Sequence, residues 1–108
     1  MARAVRWSSR GKSDFRTSVE YIRKSSPSSA QAFLQSVLDA ARSLGQSPER
    51  GRVVPELEDP EVHEVFVGRY RVLYEVHASE VWIMRVIHGS RDLLLALGRR
   101  RREDAERE

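Results

Sequence analysis

The side chains best suited to chemistry crowd into one stretch, Glu64–Asp92, EVFVGRYRVLYEVHASEVWIMRVIHGSRD. Arg69, Arg71, His77, His88 and Arg91 all lie within it. An imidazole exchanges a proton near neutral pH. A guanidinium offers a planar, permanently charged fork to a phosphate or carboxylate, and it stacks on aromatic rings and bases. These types suit acid–base work on a phosphate, or recognition of an anionic partner. The chain has no cysteine. That excludes disulfides, thiolate zinc sites and a thiol nucleophile. His63, His77 and His88 lack the spacing of a metal site, so no metal or other cofactor is expected.

These residues need a frame, and the pattern of the chain supplies one. Ala2–Trp7 alternates small or apolar residues with arginines, which predicts a strand with one wet face. From Ser13 the apolar spacing becomes helical, with Phe15, Val19 and Ile22 on one side and Ser13 or Asp14 as the cap. This first helix should end near Lys24–Ser26, because Pro27 disfavours a helical residue before it. Pro27 opens a second helix, capped by Ser26. Its stripe of Ala30, Phe33, Leu34, Val37, Leu38, Ala41 and Leu44 runs up to Gly45. So short a joint predicts an antiparallel helical hairpin. Gln46–Pro60 holds three of the four prolines and reads as an ordered connecting loop.

Three strands follow, Val62–Val67, Tyr70–His77 and Glu80–His88, with turns at Gly68–Arg69 and Ala78–Ser79. Leu93–Leu97 is a helical turn at most. The expected fold class is α+β, an N-terminal strand and helical hairpin packed on a three-stranded antiparallel sheet. Residues 1–97 form one domain, and 98–108, GRRRREDAERE, form a charged, flexible tail.

If Ala78–Ser79 is a two-residue turn, His77 pairs with Glu80, Arg71 with Val86 and Arg69 with His88. Tyr70, Val72, Tyr74, Val76, Val81, Ile83, Arg85 and Ile87 then face the hairpin. Arg69, Arg71, Leu73, Glu75, Trp82, Met84, Val86 and His88 take the other face. An apolar surface such as Leu73, Trp82 and Met84 is one that a partner covers. Beside the charged groups it also suits stacking of nucleotides. Alternatively, Leu93–Leu97 folds back over Trp82 and Met84.

The bulk numbers fit one small domain. Its 108 residues allow burial of roughly 65% of the unfolded surface. No apolar run approaches the roughly 20 residues that span a bilayer, and the first ten residues lack the core of a signal peptide. A cytoplasmic protein with no membrane contact is expected. The net charge is +3, from 19 basic and 16 acidic residues, and 17 of the basic ones are arginine. Charge of this size argues only weakly for nucleic acid.

The element order, together with SPERGRVVPEL, HEVFVGRYRVLYEV and VWIMRVIHGSRD, resembles the RelE/ParE superfamily of toxins from bacterial type II toxin–antitoxin modules. The likeness covers about residues 3–97. It implies a cytoplasmic toxin wrapped and neutralised by a cognate antitoxin, with operator DNA engaged only through that antitoxin. It also implies one of two actions. RelE-like members cleave messenger RNA on the ribosome; ParE-like members poison DNA gyrase. A third possibility is a module that only forms complexes and regulates its operon.

For the ribonuclease reading, attack of a ribose hydroxyl needs a base, an acid and a cation. The resemblance carries those roles onto Glu56, His88 and Arg71. The departures favour the ParE-like side: the only lysines are Lys12 and Lys24, and Gly89 with LLLALG stands where an aromatic often follows the histidine. On that side His88 and Arg91 fix the C-terminal turn, while Arg52, Arg69, Leu73, Trp82, Met84 and Arg91 are the residues for a partner or target.

Overall fold

Ser8, not Ser13 or Asp14, starts the first helix. Its side chain accepts from the Gly11 backbone N–H at 2.9 Å, so the cap lies five residues ahead of the expected Ser13. Gly11 reads as a breaker, yet it sits in the first turn because a Cβ there would lie 2.7 Å from the Ile83 carbonyl oxygen. The computed structural model describes residues 2–98. Its elements are β1 (Ala4–Trp7), α1 (Ser9–Ser25), α2 (Pro27–Gln46), a 3-10 turn (Pro48–Arg50), β2 (Arg52–Val53), β3 (Val62–Val67), β4 (Tyr70–Val76), β5 (Glu80–His88) and α3 (Leu93–Ala96). Apart from Gly98, the expected tail lies outside the described residues. No helix among them is long and apolar enough to cross a membrane.

The hinge of the hairpin is as expected. Ser26 donates its backbone N–H to Ile22 to close α1, and its hydroxyl accepts from Ser29 N–H to open α2. The α2 stripe buries Ala30, Val37, Ala41 and Leu44. Val37, Ala41 and Leu44 form the helix-side core with Val72, Tyr74, Val81, Ile83 and Val86.

The sheet has five strands in the order β1-β5-β4-β3-β2. β1 runs parallel to β5, and the other neighbours are antiparallel. The expected three-stranded sheet thus gains β1 on one edge and β2 on the other. β2 pairs Arg52 with Glu64 and Val53 with His63. Two residues are too few to show an alternating pattern, which is why this strand read as loop.

The β4–β5 register departs from expectation at one point. Val76 faces Val81 and Tyr74 faces Ile83, as a turn at Ala78–Ser79 requires. Leu73 then faces Arg85, leaving Met84 as an extra residue in a β-bulge. Beyond it every pairing slips by one. Arg71 faces Ile87 rather than Val86, and His88 faces Tyr70 rather than Arg69. Val86 and His88 therefore join the helix side, while Arg85 and Ile87 move to the outer face.

The outer face is covered too. Val54 and Leu57 from the loop, Val62, Leu73, Ile87, and Leu93 and Ala96 from α3 form a second core. Leu73 is 1% exposed, so it is not the open contact residue expected of it. The C-terminal turn does fold back over the sheet, but onto Leu73 and Ile87 rather than Trp82 and Met84. Trp82 and Met84 are half-buried.

Gly11 carries a direct test. Replacing a helical glycine by alanine ordinarily stabilises by about 1 kcal/mol. Here the obstructing atoms are the Ile83 and Met84 carbonyl oxygens, so Gly11→Ala should instead cost about 1–3 kcal/mol. Urea denaturation decides, and a stabilised variant would show that α1 does not sit this close to β5.

Candidate interaction site around Arg71

Glu64 on β3 has a side chain with no exposure. A carboxylate held in such a place demands cations, since an unpaired buried charge costs several kcal/mol. Two arginines supply them. Arg71 Nε donates to Oε1 at 2.5 Å, and Arg52 Nε donates to Oε2 at 2.9 Å. The remaining edge of the Arg71 fork is also occupied. Nη1 and Nη2 donate to the two oxygens of Glu56 at 2.6 and 2.8 Å. This is the bidentate geometry that makes guanidinium–carboxylate pairs strong. Phe66, exposed by 55%, lies against the network. The Arg52 and Arg71 guanidinium carbons are 5.6 and 5.9 Å from its ring centre.

The backbone explains the cluster. Glu64 and Phe66 alternate with Val65 on β3, and Phe66 pairs with Arg71 across the strands. Glu56 reaches in from the loop, whose Val54 N–H bonds to the Val62 carbonyl. The Arg71 hydrogen bonds hold the Glu56 carboxyl below its usual range. The same bonds, to Glu56 first and Glu64 second, push the Arg71 guanidinium further up.

His88 is elsewhere. Its ring meets Tyr70 edge-on at 5.1 Å on the helix side of the sheet. The Ser90 N–H donates to Nδ1 at 3.1 Å, and the Ser90 hydroxyl lies 2.7 Å from the same nitrogen. A cleft of about 430 Å³ joins it to Asp14, Tyr21, Tyr70, Ser90 and Arg91. Arg69 borders a neighbouring depression with Tyr21, Tyr70 and His88. The expected juxtaposition of Arg71 and His88 therefore fails, because the bulge at Met84 turns His88 to the face opposite Arg71. Glu56 and Arg71 do meet. Arg52 joins them; Arg69, His88 and Arg91 make a separate group.

Glu64, Phe66 and Asp14 are the residues that sequence reasoning missed. Val62, Glu64 and Phe66 share one face of a strand, and an acid between two apolar residues there signals a buried charge. Asp14 reads as a helix cap. It instead accepts from Arg85 Nε at 2.6 Å and from the Val86 N–H at 3.0 Å.

The network implies unequal costs of truncation. Arg71→Ala strands Glu64 with one exposed partner and should cost about 3–5 kcal/mol. Glu56→Ala removes a partly exposed carboxylate and leaves the Arg71 Nη groups without that acceptor, so it should cost less, about 1–3 kcal/mol. Because the folded carboxyl is depressed, the Glu56 contribution is complete above its ordinary value of 4.5 and is lost as pH falls through the lower, folded value. The stability gap between wild type and Glu56→Ala should accordingly close at acid pH. Urea unfolding across pH measures both effects; equal costs for the two variants would contradict the network.

The profile of the ParE toxin of type II toxin-antitoxin system, parDE, matches residues 5–93. No curated protein sequence matches the chain. Among solved structures, the chromosomal ParDE toxin–antitoxin system of P. aeruginosa aligns at TM-score 0.66 with 19% identity, covering 81% of this chain and 96% of that one. The RelBE2 toxin–antitoxin complex of Mycobacterium tuberculosis aligns at TM-score 0.62 with 24% identity, covering 82% and 92%. Identities this low establish the shared fold alone. The match of the profile over most of the chain goes further: the protein belongs to the ParE toxin family of type II toxin–antitoxin systems.

Proposed function

We propose that this toxin arrests growth by binding DNA gyrase rather than by cutting RNA, and that a cognate antitoxin neutralises it in the cytoplasm. The observation that carries the first part is the separation of Arg71 from His88. Cleavage by a ribose hydroxyl needs base, acid and cation around one phosphate. Here the Arg71 fork is filled by Glu56 and Glu64 on the outer face, while His88 lies on the helix side. An arginine already neutralised by two carboxylates has little charge left for a developing phosphorane. An inhibitory surface needs no such trio. The antitoxin partner is supported by the family and by the toxin–antitoxin complexes that share the fold. In that reading, operator DNA is reached only through the antitoxin.

The test sets two assays side by side. Purified chain should inhibit gyrase supercoiling and leave messenger RNA intact on programmed ribosomes. His88→Ala is the informative variant, since Arg71→Ala also leaves the buried Glu64 with only the exposed Arg52 as partner. His88→Ala should change supercoiling inhibition less than threefold. Site-specific cuts that disappear in His88→Ala would replace this reading with the ribosome-dependent endoribonuclease.

A further inference from the structure

The Arg71 fork has two edges that differ in permanence. Nε is bound to Glu64, whose side chain has no exposure, so the guanidinium stays aimed whatever happens outside. The Nη edge is bound to Glu56, whose side chain is 38% exposed on a surface loop. That loop is fastened by its neighbours instead: Val54 and Leu57 are buried, and their N–H groups bond to the Val62 and Val54 carbonyls. Release of Glu56 would therefore need only side-chain rotation, with the loop's backbone hydrogen bonds unchanged.

What lies beside the fork points to a ligand. Phe66 is 55% exposed against the two guanidinium groups. A depression of about 370 Å³ lies beside Phe66 and Arg52, bordered also by Arg50, Glu64 and Val65; Arg71 and Glu56 do not line it. Aromatic and arginine side chains around a small cavity are the composition of protein–protein hot spots. With Glu56 in place Arg52 and Arg71 balance Glu56 and Glu64; with Glu56 withdrawn one positive charge is uncompensated. The loop itself carries Glu56, Glu58, Asp59 and Glu61 within six positions. So much negative charge repels a polyanionic nucleic-acid backbone, whereas a single carboxylate replaces Glu56 like for like.

We propose that the Nη edge of Arg71, with Phe66 beside it, is a docking site for a side-chain carboxylate of a protein partner, and that Glu56 fills it in the free chain as a displaceable stand-in. The site rests on the reading that this protein acts by being bound. Partner association then exchanges one carboxylate for another, and Glu56 tunes affinity by competing for the fork.

The experiment follows the Arg71 Nε–Hε resonance of the full chain by ¹⁵N–¹H NMR during titration at constant ionic strength. Acetate, inorganic phosphate and an oligothymidylate are the probes. In Glu56→Ala, acetate should shift the resonance saturably at about tenfold lower concentration than in wild type, where Glu56 competes. Glu56→Gln, which keeps the size of the side chain, should fall between them. Equal response of wild type and Glu56→Ala, or none in either, would reduce the pair to structure alone and overturn the proposal. Saturation by phosphate or oligothymidylate at lower concentration than acetate would overturn the protein carboxylate in favour of nucleic acid. This titration reads the fork directly, so its failure is distinct from a failure of the gyrase assay.

Discussion

One buried carboxylate sets the arrangement of the outer face. A buried carboxylate needs partners, and each Glu64 oxygen is taken by a different arginine. Through Arg52 it fastens the two-residue edge strand β2, and through Arg71 it fastens β4. Arg71, once buried, needs acceptors for its Nη groups and draws in Glu56, and with it the loop that carries Val54 and Leu57 into the second core. Among the described residues no buried side-chain polar atom lacks a hydrogen-bond partner. Complete pairing of this kind separates a sound polar network from a costly one.

Much of the fold was legible because its signals are local. The α2 stripe, Ser26 and Pro27 at the hinge, and the turns at Gly68–Arg69 and Ala78–Ser79 all act within a few residues. Gly11 reads only as a breaker of the first strand, because its reason for lying inside α1 is tertiary: α1 approaches the β5 backbone too closely for a Cβ. The run Trp82-Ile83-Met84 has no alternation to mark which residue is extra, so the bulge was invisible to a period-2 reading.

The candidate site was legible only in part, and for the same reason. Glu56 and Arg71 come together irrespective of the bulge, since β3, β4 and the loop lie on its far side. His88 lies beyond the bulge, so a single extra residue carries it to the opposite face. Leu73 reads as exposed when only one face of the sheet is given to the helices. Yet Val72, Leu73 and Tyr74 in succession are apolar on both faces, the composition of a strand covered on both sides. All three are buried.

The bulge has a consequence for charge. In an unbroken register Arg85 would pair with Val72, on the face that packs against the hairpin. Shifting one residue sends Val86 into that core and Arg85 to the outer face. There its Nε donates to Asp14 on α1 and its Nη1 to the Ala96 carbonyl of α3 at 3.2 Å. Asp14 also accepts from the Val86 N–H, on a part of β5 beyond its pairing with β1, which stops at Trp7–Ile83. An edge strand is thereby closed by a helix side chain. Arg85 links the coverings of both faces, and the same bulge that places it there carries His88 away from Arg71.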